Sequence, residues 1–151
     1  ALLVIAVGAS LLTRFLSLSG AGDYLASMVI GGDASTVTIL IAIVLIYLLL
    51  GMFLEPIGAM LLTLPIVLPI IGAADLSLLW FGIILTKLLE IGMITPPIGM
   101  NVFVIKGVVG DLASTTSIFK GIFWFLVMDL FVLLFLMTVP EFILFLPNLF
   151  G

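Results

Sequence analysis

From Val37 to Leu50 almost every side chain is aliphatic, and from Ala59 to Ile71 the chain is apolar again. Such runs either fill the core of a large soluble protein or sit in lipid as helices, whose backbone N–H and C=O groups pair within the segment. Composition decides between the two. Of the 151 residues, 65% are hydrophobic and 8% charged, where a soluble domain has about 25% charged. Too few polar side chains remain to cover a surface in water, so lipid is the solvent for most of this one. The expected fold class is an all-α polytopic membrane protein, with the lipid bilayer as its first partner.

The same composition removes several functions. The four basic residues are scattered and the formal net charge is −4. No basic patch can track phosphates, so no nucleic acid is expected as a partner. Cysteine and histidine are both absent, which takes away disulfides, thiolate nucleophiles, histidine acid/base chemistry and the usual zinc sites. The first residue, Ala1, already lies within an apolar run, and the chain reads as part of a longer protein.

Residues 1–18 form one apolar stretch with Arg14 near its end. Eighteen helical residues reach roughly 27 Å, enough for a bilayer core, and a long basic side chain there can snorkel to the interface. Ser19-Gly20-Ala21-Gly22-Asp23 reads as a helix stop followed by an N-cap. A short segment, 24–30, suits a helix lying along the membrane surface, and 31–35 is the next break. The two apolar arms that follow have thirteen or fourteen residues each. As helices they reach roughly 20 Å, short of the roughly 30 Å core. They flank Gly51-Met52-Phe53-Leu54-Glu55-Pro56-Ile57-Gly58, which suggests a hairpin entering and leaving by one face. Two full spans with a tight turn at Glu55-Pro56 fit the pattern equally, and both readings stay open here.

The segment 76–91 carries Lys87 and Glu90, then runs into Gly92-Met93-Ile94-Thr95-Pro96-Pro97-Ile98-Gly99-Met100-Asn101. A regular helix cannot pass through that stretch, because proline lacks the N–H and clashes with the preceding turn. A single crossing, broken at mid-depth, fits 75–109 best. Residues 110–120 are polar and are expected outside the membrane. A last span covers 121–139 with Asp129 inside it, and an apolar tail follows Pro140-Glu141.

Unwound backbone at membrane depth is costly unless it faces protein or water. Two such breaks, at 51–58 and 92–101, are therefore the places to look for a site. Helix C-terminal ends and loose carbonyls attract hard cations, while N-terminal ends favour anions. Thr95 and Asn101 offer side-chain oxygens beside the freed carbonyls. The plainer alternatives are back-bonding of Thr95 to its own helix and a helix–helix hydrogen bond for Asn101. Glu55 is placed to cap the second arm, a structural role ahead of ion ligation. Lys87 and Glu90, three apart, can pair; Asp129 has no partner in its own segment.

The strings GMFLEPIGAMLLTLPIVLPI (51–70) and ADLSLLWFGIILTKLLEIGMITPPIGMNVFVIKG (74–107) closely resemble the large permease subunit of TRAP transporters, the tripartite ATP-independent periplasmic transporters. ITPPIGMN is the most specific part. The resemblance implies the second inverted repeat of an elevator-type transporter, with a re-entrant helical hairpin and a broken helix. It divides the chain into a scaffold span and lateral arm helix (1–35), a transport-domain part (hairpin 36–74, broken helix 75–109), and a cytoplasmic loop, last span and tail (110–151). It assigns the binding region to Gly51, Glu55, Pro56, Gly58, Gly92, Thr95, Pro96, Pro97, Gly99 and Asn101, with Na⁺ held by carbonyls near Gly51, Gly92, Thr95 and Asn101. Lys87 stands where the resemblance leads one to expect a neutral residue.

The implied function is import of an organic acid such as a C4-dicarboxylate or sialic acid. Transport would be driven by Na⁺ across the bacterial inner membrane, with no cofactor beyond that ion. The implied partners are a periplasmic binding protein and a small membrane permease subunit. A related symporter working without a binding protein is the runner-up. An intramembrane hydrolase using Glu90 and Asp129 is the reading from another class, and a purely structural subunit is a third.

Overall fold

The computed structural model describes residues 2–32 and 35–150, and every regular element among them is helical. The helices are α1 (Leu2–Ser19), α2 (Ala21–Gly31), α3 (Thr36–Phe53), α4 (Pro56–Ala73), α5 (Leu78–Ile94), α6 (Met100–Val109), α7 (Thr115–Thr138) and α8 (Pro140–Phe150), with one 3₁₀ turn at Gly110–Leu112. Their starts follow capping chemistry. The side chains of Ser35, Ser77 and Ser114 accept the N–H groups of Thr38, Trp80 and Ser117, each satisfying one donor that a helix N-terminus leaves free. α2 begins differently. Gly20 takes a positive φ of 67° and Asp23 falls inside the first turn, so the expected cap at Asp23 is replaced by a glycine bend. Part of the break expected at 31–35 lies outside the described residues.

Among the described residues, three helices, α3, α4 and α7, are long and apolar enough to cross a membrane. The arms around Glu55 are 18 residues each, longer than the pattern suggested, because Gly51–Phe53 and Pro56–Gly58 join the helices. Pro56 sits in the first turn of α4, where its missing N–H costs nothing. At roughly 27 Å, either arm can cross a bilayer core, so length no longer requires the chain to turn back inside it. The polar loop also shrinks. α7 starts at Thr115, takes in Lys120 and runs for 24 residues.

α5 is the centre of the bundle. Trp80, Phe81, Ile84, Leu85, Leu88, Leu89, Ile91 and Gly92 are buried, and α3, α4, α6, α7 and α8 pack around it. α1 and α2 lie against α4. Outside this core the large apolar side chains face outward: Trp124 and Phe125 are both 72% exposed. In water that surface would be unstable; in lipid it is the ordinary exterior of a membrane bundle.

α3 and α5 run in the same direction. The rings of Tyr47 and Phe81 meet edge-to-face at 6.4 Å, and one turn further along α3, Gly51 lies against Leu89 and Gly92. Thr63 Oγ1 donates to the Ala59 carbonyl at 2.7 Å, which leaves the Tyr47 hydroxyl, 2.6 Å away, as the donor to Thr63. That relay pins α3 to α4 below their turn.

α7 runs antiparallel to α5. Trp80 Nε1 donates to the Leu136 carbonyl at 3.0 Å. In a continuous helix that carbonyl would receive the N–H four residues on, but the residue there is Pro140, which has none. The indole of one helix replaces the donor that proline removes from another.

Candidate functional site: two converging helix ends

The two sequence breaks meet. A Cβ built on Gly92 would stand 2.7 Å from the backbone Cα and C of Gly51, and one on Gly51 would lie 3.2 Å from Gly92 Cα and the Leu89 carbonyl. Only glycine at both positions lets the backbones approach this closely. Gly51 is in the last turn of α3 and Gly92 in the last turn of α5, so two helix C-terminal ends converge. Each carries the equivalent of about half a negative charge. Two such ends side by side repel one another and attract a cation.

The backbone is less unwound than the sequence suggested. Between α3 and α4 only Leu54 and Glu55 are outside a helix, and between α5 and α6 only Thr95–Gly99. Gly51, Gly58, Gly92 and Asn101 are therefore helical residues flanking the breaks. The second break contains the Pro96–Pro97 pair, joined by a cis peptide bond. The Gly92 carbonyl accepts the Thr95 N–H, while Pro97 has no N–H to give Met93. Gly99 closes the break with a φ of 56°, and a Cβ there would sit 3.3 Å from both the Thr95 carbonyl and the Phe119 ring.

Glu55 caps α4 with both carboxylate oxygens, accepting from the N–H groups of Ile57 (3.1 Å) and Gly58 (2.9 Å). The expected structural role is the one it plays, and the N–H of Gly58 is spent on it. Thr95 Oγ1 donates to the Ile91 carbonyl at 2.6 Å, the back-bonding alternative; its lone pairs still face outward from that bond. Asn101 is exposed in the first turn of α6.

Lys87 pairs with Glu90 at 2.9 Å, as the three-residue spacing suggested, and also with Asp129 at 2.7 Å. The second partner was not legible in the sequence. Glu90 is the more exposed carboxylate and lines a cavity of about 350 Å³ with Pro56, Met60, Thr86, Leu89 and Met93, between the start of α4 and the end of α5. The two carboxylates proposed for a hydrolytic dyad thus do come together, but on an ammonium group that occupies both. A dyad that works by sharing one proton between two carboxyls is not what this arrangement offers.

No group of three or more acidic, histidine or cysteine side chains that could hold a metal ion occurs among the described residues.

A family model described as "Tripartite ATP-independent periplasmic transporter, DctM component" matches residues 1–142. Among curated proteins, the chain is 39% identical over 116 residues to the sialic acid TRAP transporter permease protein SiaT of Haemophilus influenzae, covering 76% of this chain and 18% of that protein. It is 38% identical over 98 residues to the C4-dicarboxylate TRAP transporter large permease protein DctM of Vibrio cholerae, covering 65% and 21%. With the Pseudomonas aeruginosa protein of the same description it shares 31% over 150 residues, covering 99% and 35%. The chain therefore spans between 18% and 35% of the length of these relatives.

Proposed function

The chain belongs to the DctM component family of tripartite ATP-independent periplasmic transporters, and from that premise we propose that it forms part of the permease of a Na⁺-coupled organic-acid importer. Members of this family are transporters, not enzymes, and three apolar helices suit a multi-pass membrane protein. The substrate class proposed is an organic anion such as a C4-dicarboxylate or sialic acid, the substrates named for two of the relatives. A periplasmic binding protein delivers it and a small permease subunit accompanies the chain in the bacterial inner membrane. In this reading residues 36–74 form a re-entrant hairpin and 75–109 a broken helix, together the moving part of an elevator's second repeat.

The observation that carries the proposal is the Gly51–Gly92 contact, which sets two helix C-terminal ends against each other. Carbonyls near Gly51, Gly92, Thr95 and Asn101 hold the Na⁺ in this reading, and Asn101 also stands at the N-terminal end of α6. That end favours the carboxylate of an anion, with Gly99 bringing its backbone close. A sodium ion there would supply charge compensation for the two ends and for the incoming anion. Pro96 and Pro97 keep the local carbonyls from being absorbed into a helix.

Uptake measured against Na⁺ concentration, in vesicles carrying the full-length protein, tests this. Thr95→Ala and Asn101→Ala are expected to insert normally and to raise the Na⁺ half-saturation about tenfold, equivalent to about 1.4 kcal/mol. An unchanged half-saturation in both variants would remove the two residues from the site. Uptake indifferent to Na⁺ in the unaltered protein would remove sodium from the mechanism.

A further inference from the structure

α7 touches α5 and the break that follows it at three points, the first two in one register. Trp80 reaches Leu136; Lys87, seven residues on, reaches Asp129, seven residues back; and Gly99, at the end of the break, lies against Phe119. α7 is thus one continuous helix lying along both α5 and α6, which the break separates. Its lengthwise position decides where the Phe119 ring meets Gly99. Sliding a helix by one residue moves each side chain roughly 1.5 Å along the axis and turns it by about 100°, enough to take Phe119 off the glycine.

Most of the α5–α7 interface is apolar and tolerates such a slide, because one aliphatic contact replaces another. The two polar contacts do not. Of these, Lys87–Asp129 is the charged one, with side chains only 20% and 24% exposed. Asp129 is close to the middle of the 24-residue α7, where an unpaired carboxylate in a membrane is most costly.

We propose that Asp129, acting through Lys87, is a positioning residue that fixes the register of α7 on α5 and so seats Phe119 against Gly99 in the break. Lys87 has two carboxylate partners, and that makes the role separable from folding. Removing the Asp129 charge leaves Lys87 paired with Glu90, so no bare charge is stranded in the bundle. Removing the Glu90 charge leaves the inter-helix tie intact. The Lys87–Asp129 tie holds α7 in place whichever ion couples transport.

Spin labels on Val104→Cys in α6 and Met128→Cys in α7, both exposed positions, would report the register by their distance distribution in the full-length protein in lipid nanodiscs. Any cysteine elsewhere in that protein is first replaced. The unaltered pair is expected to give one narrow distribution. Asp129→Asn should broaden it or shift it by up to one helical turn, roughly 5 Å. Asp129→Glu, which keeps the carboxylate, and Glu90→Gln, which keeps the tie, should both leave it narrow. A distribution unchanged by Asp129→Asn would overturn the proposal, as would equal broadening by Glu90→Gln. Loss of insertion in Asp129→Asn would assign the carboxylate to assembly and overturn it equally.

Discussion

Substituting Gly92 by alanine places a methyl group 2.7 Å from two backbone atoms of Gly51 and 3.1 Å from the Met52 nitrogen. Ordinary contact begins at 3.4 Å, so the shortfall is about 0.7 Å, and the obstructing atoms are backbone that cannot rotate away. α3 and α5 must separate at their crossing. Overpacking of this kind costs roughly 1–3 kcal/mol, offset by up to about 1 kcal/mol for replacing glycine within a helix. A net loss of about 1–2 kcal/mol is expected. The companion variant Gly51→Ala meets its nearest neighbours at 3.2 Å, a shortfall of a few tenths of an ångström that the helix gain should nearly cancel. The prediction is therefore an asymmetry within one contact. Denaturant unfolding of the full-length protein in detergent micelles would measure both variants, and the Na⁺ half-saturation would show whether parting the helix ends weakens ion binding. Gly92→Ala as stable as Gly51→Ala, with an unchanged half-saturation, would refute both the packing argument and the role given to the crossing.

Other expectations follow from single contacts. Trp80→Phe leaves the Leu136 carbonyl without a donor in apolar surroundings and should cost about 1–3 kcal/mol, read as a lowered unfolding midpoint; no change would mean another donor satisfies it. Glu55→Ala removes the α4 cap and should cost about 1 kcal/mol, with the Na⁺ half-saturation unmoved; a large shift in that value would make Glu55 an ion ligand. Tyr47→Phe breaks the relay to Thr63 and should cost about 1 kcal/mol, leaving the α3–α4 pair more open to cross-linking reagents. Cysteines at Thr36 and Asp75 should react with an impermeant maleimide from one side of the membrane and a cysteine at Thr115 from the other. Labelling of 36 and 75 from opposite faces would exclude the hairpin.

The residues that bend the chain were legible because proline and glycine act locally: Pro96, Pro97 and Gly99 break α5 from α6 wherever they are placed. Glu55 was legible as a cap, and Lys87 with Glu90 as a pair, because both depend on spacing within one helix. Helix lengths were misjudged where the same residue types do no local harm. Pro56 in a first turn and Gly51 in a last turn interrupt nothing. The glycine crossing was hidden for another reason. Gly51 and Gly92 read as parts of two unwound breaks, whereas their use is to have no side chain where two helices touch. Asp129 pairs with a lysine far away in sequence, and only the packing of α7 on α5 shows it.

The Trp80–Leu136 bond joins the start of α5 to the end of α7. Because Pro140 offers that carbonyl no N–H, the last turn of α7 is closed from outside, by a side chain 56 residues earlier in the chain. α8 begins at Pro140 and also packs on α5. The corner between α7 and α8 is therefore tied to α5 from both sides, and a proline that looks like a simple stop signal leaves open the acceptor by which a third helix holds that corner.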